Sequence, residues 1–213
     1  MNVIREDTDW GKSNIQVFWG EIAPCDHMVQ FYDNDKVFLN TLEGFAGDGF
    51  IRGDSVIVIA TPEHLDDLNK RLKSQDFDIA SLKSKDQYIT LDAHESASQI
   101  MVNGWPDENK FTEFVTALMN RAQKHGGKVR VFGEIVAVLW DQGHCGATVQ
   151  LEKLWHRIQP EKGFSLYCAY PKSGFTQDCT DSIENICLSH SKLIDGVARP
   201  STEIYYKESV SSS

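Results

Sequence analysis

The 213-residue sequence predicts a three-layer α/β/α protein, in which a mostly parallel central sheet lies between two layers of helices. Candidate strands and helices alternate along the chain, an order that favours parallel strands joined by helical crossovers. Residues 55–60 form a continuous, largely β-branched run, which is typical of a strand buried on both faces. No repeat or composition break divides the chain. We therefore expect one domain at residues 19–206, between a loose leader at 1–18 and a frayed tail at 207–213.

The first half of the chain is predicted to hold three strands and two helices. Residues 27–32 are a strand candidate, and Asp35 is a suitable cap for the helix that follows. The Thr61–Pro62 pair supplies a cap and an N1 proline for the second helix. Residues 88–91 form the third strand, which ends at Asp92. Both helices place apolar residues at helical spacing, namely Phe38, Leu39, Leu42 and Phe45 in the first and Leu65, Leu68 and Leu72 in the second.

The second half is predicted to hold two further strands, at residues 129–132 and 164–169, and three helices. The first of these helices stops at Gly126–Gly127. Asp181 and Glu184 form an Asx-type capping box for the last helix. The three apolar stripes are Phe111, Phe114, Val115, Leu118 and Ala122; Ala147, Leu151, Leu154, Trp155 and Ile158; and Ile183, Ile186, Cys187, His190 and Ile194.

Composition and charge exclude several classes of function. The chain has 31 acidic and 21 basic residues and a formal net charge of −10, which argues against DNA, RNA and anionic membranes as primary partners. No apolar run approaches the roughly 20 residues that span a bilayer. Residues 1–13 lack a signal-peptide apolar segment, so we expect a cytoplasmic location. The five cysteines include no CxxC pair and are expected to be reduced thiols or ligands.

The junction between the first strand and the first helix is where an α/β nucleotide-binding protein carries its phosphate loop. Such a loop needs a lysine, and glycines for close backbone approach. The junction offers Tyr32, Asp33, Asn34 and Asp35 instead. Two carboxylates already occupy the electropositive helix end that a phosphate would need. The sequence therefore indicates a scaffold of the nucleotide-binding type without the nucleotide chemistry.

Motifs for catalysis are missing from the sequence. It contains no GxSxG, HExxH or GxGxxG, and no local arrangement ties a nucleophile to a base. We therefore expect that the protein is not an enzyme, with nucleotide hydrolysis the least favoured function. Polar residues at the predicted carboxyl ends of strands could hold a small polar ligand. The alternative is that Asp33, Thr61 and Asp92 are only caps or turn formers.

Glu134 is the most unusual residue at these strand ends, because it interrupts an apolar run over residues 131–140. An ionised carboxylate in such a place is costly unless it is paired or hydrogen-bonded, which indicates a functional role. The alternative is a structural salt bridge to Arg130 or to a distant arginine. Tyr32 and Trp140 could form walls of an apolar pocket near the same sheet edge, and core packing is the alternative for both.

The last predicted helix places Cys187 and His190 on its buried stripe, one turn apart. At that spacing both side chains can face one metal ion or a haem-like ligand. Two ligands do not complete a site. The fold would have to supply the others, for which the candidates are Cys25 and His27 or His144 and Cys145. The alternative is a core cysteine beside a hydrogen-bonded buried histidine.

A series of short motifs follows one another along residues 19–206. The motifs are Trp19–Gly20, His27 and Phe31–Tyr32; Arg130 to Glu134, Leu139–Trp140 and Gly143; Leu151–Glu152 with Trp155; Cys168 to Pro171; and Cys187, His190 and Ser191, followed by Tyr205 or Tyr206. In this order and spacing they resemble the MEDS domain family, the sensory domain of methanogens, methylotrophs and the dichloromethane-responsive regulator. Each motif alone is weak, and the resemblance depends on their combination.

The resemblance implies a RecA/KaiC-like, P-loop-ATPase-like α/β fold without the Walker motif, in agreement with the absent phosphate loop. It implies a sensory role in signal transduction, proposed for small hydrocarbon-derived molecules. Relatives are often attached to a histidine kinase or a DNA-binding module, for which this chain has no room. We therefore expect a stand-alone sensor that signals through a separate protein, such as a histidine kinase or regulator. The sequence leaves a homodimer and the identity of any cofactor open.

Our leading hypothesis is a sensor whose apo and bound populations shift when a small ligand binds. The alternatives are a degenerate ATPase-like interaction scaffold without a ligand, and a metal or haem sensor. Because His27 starts its strand, we expect it at the opposite sheet edge from Asp33. At that opposite edge His27 and His190, the two histidines of the family motifs, can form a separate structural site. Glu134 would then remain in the pocket without them. The expected ligand-binding residues are His27, Tyr32, Asp33, Glu134, Trp140, Cys187 and His190.

Overall fold

The structure is a computed structural model that describes residues 25–174, 180–196 and 204–206. The leader and the tail predicted at the two ends of the chain, and the Trp19–Gly20 motif, lie outside the described residues. None of the helices in the described ranges combines the length and the apolar character that a membrane crossing requires.

A seven-stranded sheet forms the centre of the described structure. Its strands are β1 (His27–Tyr32), β2 (Ser55–Ala60), β3 (Tyr88–Asp92), β6 (Val129–Gly133), β7 (Ser165–Pro171), β8 (Lys192–Gly196) and β9 (Ile204–Tyr206), while β4 (Met101–Val102) and β5 (Trp105–Pro106) form a separate hairpin. The order across the sheet is β3-β2-β6-β7-β1-β8-β9, and within it only β9 runs antiparallel to its neighbour. The five predicted strands are confirmed, as is the mostly parallel sheet.

Helices cover both faces of this sheet, which confirms the prediction of three layers. One layer holds α1 (Asp35–Ile51), α2 (Pro62–Ser74) and α3 (Ile79–Ser84). The other holds α4 (Ala93–Ile100), α5 (Glu108–Ala122), α6 (Ile135–Asp141), α7 (Cys145–Lys162) and α8 (Thr180–Leu188). Each layer buries its apolar stripe against one face of the sheet, so the strands between them are apolar on both faces.

The predicted helix starts agree with the structure in part. The cap of α1 is Asn34 rather than Asp35, because the Asn34 side chain accepts a hydrogen bond of 3.1 Å from the Val37 backbone N–H. At α2, Thr61 and Pro62 take the predicted cap and N1 positions. The last helix is described from Thr180 onwards and contains Asp181, but the capping box predicted for Asp181 and Glu184 lies outside the described side chains.

The predictions also differed from the structure in two apolar segments. Residues 135–141, of which 135–140 were predicted only as part of an apolar run, form the short helix α6. Its residues 135–140 are apolar on every side because all of them are buried, and only Asp141 at its end is exposed. The last helix ends at Leu188, and Ile194, predicted to continue its stripe, lies in β8. Ile194 keeps the helical spacing by coincidence, since a short apolar pattern does not distinguish a helix end from a following strand.

A buried ion-pair network joins the sheet to α1. Arg130 on β6 donates from Nε to Asp54 Oδ2 at 2.8 Å and from Nη2 to Asp48 Oδ2 at 2.7 Å. Gly49 makes room for this side chain, because a Cβ atom there would lie 2.8 Å from Val56 Cγ2 and 3.1 Å from Arg130 Cδ. The network compensates the cost of burying three charges beside the core.

We predict that Arg130→Met destabilises the protein by about 3–5 kcal/mol, because it leaves two buried carboxylates without their main cation. The matched control is Arg157→Met. Arg157 pairs with Glu108 at 2.6 Å, but both side chains are more than half exposed, so a loss below about 1 kcal/mol is expected. Urea unfolding of the three proteins measures both differences. Equal losses in the two variants would contradict the structural role given to Arg130.

Candidate functional site

Glu134 follows β6 and lies at the carboxyl edge of the sheet. Its Oε2 atom accepts a hydrogen bond of 2.8 Å from the Thr61 backbone N–H, and its Oε1 atom accepts one of 2.6 Å from His64 Nδ1–H. The alternative of a salt bridge to Arg130 is wrong, because that arginine pairs with Asp48 and Asp54. Glu134 therefore holds the junction between β2 and α2, where its carboxylate is paired within the protein.

The environment of Glu134 favours a charged His64. Burial by itself lowers the pKa of His64, but the hydrogen bond and the negative charge of Glu134, together with Asp35, raise it above its ordinary value of 6.5. Asp35 Oδ1 lies 3.9 Å from His64 Nε2. Burial, and then the charge of Glu134, also raise the pKa of the Tyr32 hydroxyl. This edge of the sheet thus holds a hydrogen-bonded pair of Glu134 and His64, whose polar atoms already have partners.

The two aromatic residues predicted as pocket walls lie in different layers. Tyr32 stacks on Phe38 of α1, with ring centroids 4.9 Å apart. Trp140 on α6 packs on the other face of the sheet, edge-on to Tyr170 at 6.1 Å. Asp33 is exposed and pairs with Lys172 at 3.3 Å. The structure therefore does not bring Tyr32, Trp140 and Asp33 together around one cavity.

Four side chains whose nitrogen, oxygen or sulfur atoms could bind a metal ion meet in the interior between the sheet, α7 and α8. They are His27 at the start of β1, Glu152 on α7, Cys168 on β7 and His190 in the turn before β8, and we refer to them as the buried cluster. One polar or sulfur atom from each lies within 4.8 Å of the corresponding atoms of the other three. Two predicted residues, His27 and His190, are thus brought together, as the expectation of a separate histidine site required.

Distances within the buried cluster are short. Both imidazole Nε2 atoms, from His27 and His190, lie 3.5 Å from Glu152 Oε2. The Cys168 sulfur lies 3.7 Å from His27 Nε2 and 3.9 Å from Glu152 Oε2. The two histidine rings are 3.9 Å apart between centroids. The four residues therefore surround one small volume with nitrogen, oxygen and sulfur atoms.

Hydrogen bonds orient two members of the buried cluster. His190 donates from Nδ1–H to the Ile186 carbonyl oxygen at 2.6 Å, which leaves Nε2 without a proton in the neutral ring. Tyr170 donates its hydroxyl proton to Glu152 Oε1. Among the described residues, His190 Nε2 has no hydrogen-bond partner, although its side chain is only 1% exposed. A lone pair is therefore held in the interior and directed at the cluster.

Burial sets the protonation of the buried cluster. It raises the pKa of Glu152 to about 8, although hydrogen bonds from Tyr170 and Cys168 lower it, and it lowers the pKa of His190 to about 4. The pKa of His27 is lowered by burial and by the two nearby histidines, His190 and His156. Each of these shifts favours the uncharged form, so both imidazoles carry a free lone pair at neutral pH.

The predicted pairing of Cys187 with His190 on one buried helical face is wrong. Cys187 is exposed on α8, whereas His190 lies past the end of that helix and turns inward. Of the further ligand candidates, only His27 belongs to the buried cluster, and Cys25, His144 and Cys145 do not. Glu152 and Cys168 were not predicted as site residues, although both lie in motifs that carry the family resemblance.

Comparisons with known proteins agree with the fold. The family model of the MEthanogen/methylotroph, DcmR Sensory domain (MEDS) matches residues 26–191. The KaiC-like protein PH0186 of Pyrococcus horikoshii OT3 superposes with a TM-score of 0.56 at 10% identity, covering 83% of this chain and 73% of that one. PH0250 of the same organism superposes with a TM-score of 0.58 at 11% identity, covering 92% and 93%. At these identities the two structures show the fold alone. No curated protein matches the sequence significantly.

We predict that the His64–Glu134 pair makes stability depend on pH. The folded pKa of His64 is raised, so the stabilisation is complete below the ordinary value of 6.5 and is lost as pH rises through the folded pKa. In Glu134→Gln the titration midpoint of His64 should fall and this pH dependence should shrink. Histidine NMR titrations and urea unfolding between about pH 5 and pH 8 measure both effects. An unchanged His64 midpoint in Glu134→Gln would refute the pairing.

Proposed function

The chain belongs to the MEDS family of sensory domains, and from this premise we propose that it senses a small ligand at the buried cluster of His27, Glu152, Cys168 and His190. The family gives the chain a role in sensing and signalling. The geometry of the buried cluster supports the other part of the proposal, which is the location of the sensing site.

The observation that carries this proposal is the buried lone pair of His190 Nε2. A buried polar atom without a hydrogen bond costs about 1–3 kcal/mol, and such atoms are uncommon in folded proteins. Here the atom faces Glu152, Cys168 and His27 rather than apolar side chains. A ligand bound among these four residues would recover the lost interaction energy, which is the behaviour expected of a binding site.

The buried cluster connects parts of the chain that are far apart in sequence. His27 and His190 lie one residue inside the two ends of the family match. Next to them, the Ser191 backbone N–H donates to the His27 carbonyl oxygen at 2.7 Å, and the His27 backbone N–H donates to Ser191 Oγ at 3.0 Å. Binding at the cluster therefore acts directly on the segment that joins α8 to β8.

We propose that this segment passes the signal to a protein partner through a population shift between apo and bound states. Leu188, two residues before His190, is 57% exposed at the end of α8, so this segment reaches the surface, where a partner can contact it. The partner would be a signalling protein such as a histidine kinase or a regulator. The net charge of −10 favours a protein partner over a nucleic acid.

The proposal includes no enzymatic activity. In nucleotide-binding α/β proteins a glycine-rich loop follows the first strand and holds the phosphates at a helix N-terminus. Here only Asp33 and Asn34 separate β1 from α1, and the Asn34 side chain itself occupies the helix N-terminus. The described structure therefore has no phosphate-binding loop after its first strand.

An interaction scaffold without a ligand is the second candidate, and one observation favours it. At the carboxyl edge of the sheet, where α/β proteins commonly bind ligands, the aromatic rings of Tyr32, Phe38 and Phe132 pack on one another. Because these rings fill the carboxyl edge, the two candidate functions differ in what they require at the buried cluster. A scaffold needs no ligand there, and a sensor does.

We predict that the native mass of the purified protein exceeds its denatured mass, and that Glu152→Gln removes the excess. The substitution keeps the shape of a side chain that reaches the centre of the cluster but removes its ability to become a carboxylate. The matched control is Glu134→Gln at the carboxyl edge, which should keep the excess mass. Native mass spectrometry of the three proteins, purified without chelators, makes the comparison.

Two outcomes would contradict this prediction. An excess mass lost only in Glu134→Gln would place the ligand at the carboxyl edge and refute the buried cluster as the sensing site. Equal native and denatured masses, both after purification and after incubation with cell extract, would favour the interaction scaffold.

A further inference from the structure

We propose that the buried cluster is a four-coordinate site for a divalent metal ion of the zinc class, held by His27 Nε2, Glu152 Oε2, Cys168 Sγ and His190 Nε2. This inference rests on the proposed function in one respect, since it names the chemical class of the ligand that the sensor binds. The metal site itself can be tested without a signalling partner.

The first argument is the spacing of the four atoms. Zinc lies about 2.0–2.2 Å from nitrogen and oxygen ligands and about 2.3 Å from sulfur, so its tetrahedral ligands are about 3.3–3.6 Å from one another. In the buried cluster the two nitrogen–oxygen distances are 3.5 Å, and those from the sulfur are 3.7 Å and 3.9 Å. For these four pairs a bound ion requires inward movements of only a few tenths of an ångström. The ligand atoms of the other two pairs, His27 with His190 and His190 with Cys168, lie within 4.8 Å of one another.

The second argument is the chemistry of the donors. Two imidazoles, one thiolate and one carboxylate form a ligand set of intermediate softness, which suits zinc and related divalent ions better than magnesium or calcium. The thiolate and the carboxylate carry two negative charges together, and a divalent ion balances them. The occupied site would have no net charge, which is the condition under which an ionic group is tolerated in a protein interior.

The third argument is the support around the ligands. A histidine that binds a metal usually donates its other ring N–H to a carbonyl or carboxylate, and His190 does so through its Nδ1–H to Ile186. A ligating carboxylate is usually hydrogen-bonded in turn, and Glu152 accepts from Tyr170. Two of the four ligands are thus already oriented by the kind of partner that metal sites use.

The protein supplies all four positions of this site, and the residues are buried. Such closed sites stabilise or switch a structure, whereas a catalytic zinc keeps one position open. The ligands come from β1, β7, α7 and the turn between α8 and β8. Metal binding would therefore fasten the α8–β8 segment to the sheet, and metal loss would release it.

The test uses the whole protein and a matched pair of cysteine variants. Wild-type protein is stripped with a chelator and titrated with zinc, and with cobalt as a spectroscopic probe. We expect one ion per chain, and for cobalt the visible bands of a tetrahedral ion together with a thiolate charge-transfer band. Cys168→Ser should lose the charge-transfer band and bind at least about tenfold more weakly. Cys187→Ser, at an exposed cysteine outside the cluster, should behave as wild type.

A further variant keeps the test valid should Cys168→Ser fail to fold. Tyr170→Phe keeps all four ligands and removes the hydrogen bond to Glu152, so the zinc affinity should fall about 10–100-fold with cobalt spectra that remain tetrahedral. The proposal is overturned when stripped wild type binds no stoichiometric zinc or cobalt. It is also overturned when the cobalt bands survive Cys168→Ser and disappear in Cys187→Ser.

Hydrogen exchange separates failure of the metal site from failure of the proposed function. Metal binding should slow exchange in α8 and β8 at least tenfold relative to the stripped protein. Stoichiometric metal with unchanged exchange there would leave the metal site in place and refute the sensing role. An organic mass excess that depends on Glu152, without metal binding, would refute the metal site and leave the sensing role in place.

Discussion

Polar side chains buried against the sheet must find partners within the protein, and this constraint governs the arrangement of its interior. Two sets of buried polar side chains satisfy this constraint with partners inside the protein. Arg130 pairs with Asp48 and Asp54, and Glu134 pairs with Thr61 and His64. The buried cluster of His27, Glu152, Cys168 and His190 does not, because it holds a histidine nitrogen that is unpartnered among the described residues. The same physical rule that explains the first two sets as structure supports the proposal that the third set binds a ligand.

The fold was largely predictable because its strongest sequence signals are local. The β-branched run at 55–60 forms β2 over the same residues, and Thr61–Pro62 starts the next helix as its chemistry requires. The prediction was wrong where a local pattern continued across a boundary. Ile194 extends the helical spacing of α8, yet hydrogen bonds of Ser191 to the first residue of β1 turn the chain into a strand. His27 and Ser191 are 164 positions apart in the sequence, so the periodicity of a single segment does not predict their contact.

The candidate site was predictable only in part, for the same reason. His27 and His190 could be recognised as a pair, but their partners depend on sheet register. Parallel pairing sets Val29 beside Cys168, and because His27 and Val29 point to one face, the histidine meets the thiol. Glu152 did offer a signal, since it is an acidic residue one position from Leu151 on a buried helical stripe. The reasoning applied to Glu134, that a carboxylate in an apolar run needs a partner, applies equally to Glu152.

The position of the buried cluster also determines which part of the chain a ligand there would affect. In open α/β folds the ligand usually lies at the carboxyl ends of the strands and acts on the loop after the first strand. Here the Asn34 side chain caps that position, and Glu134 holds the neighbouring junction. The cluster lies at the opposite end of β1, where the backbone of His27 is bonded to Ser191. Under the proposed function, a ligand at the cluster would act on the pairing of β8 with β1, and the segment from α8 to β8 would be the surface that a partner contacts.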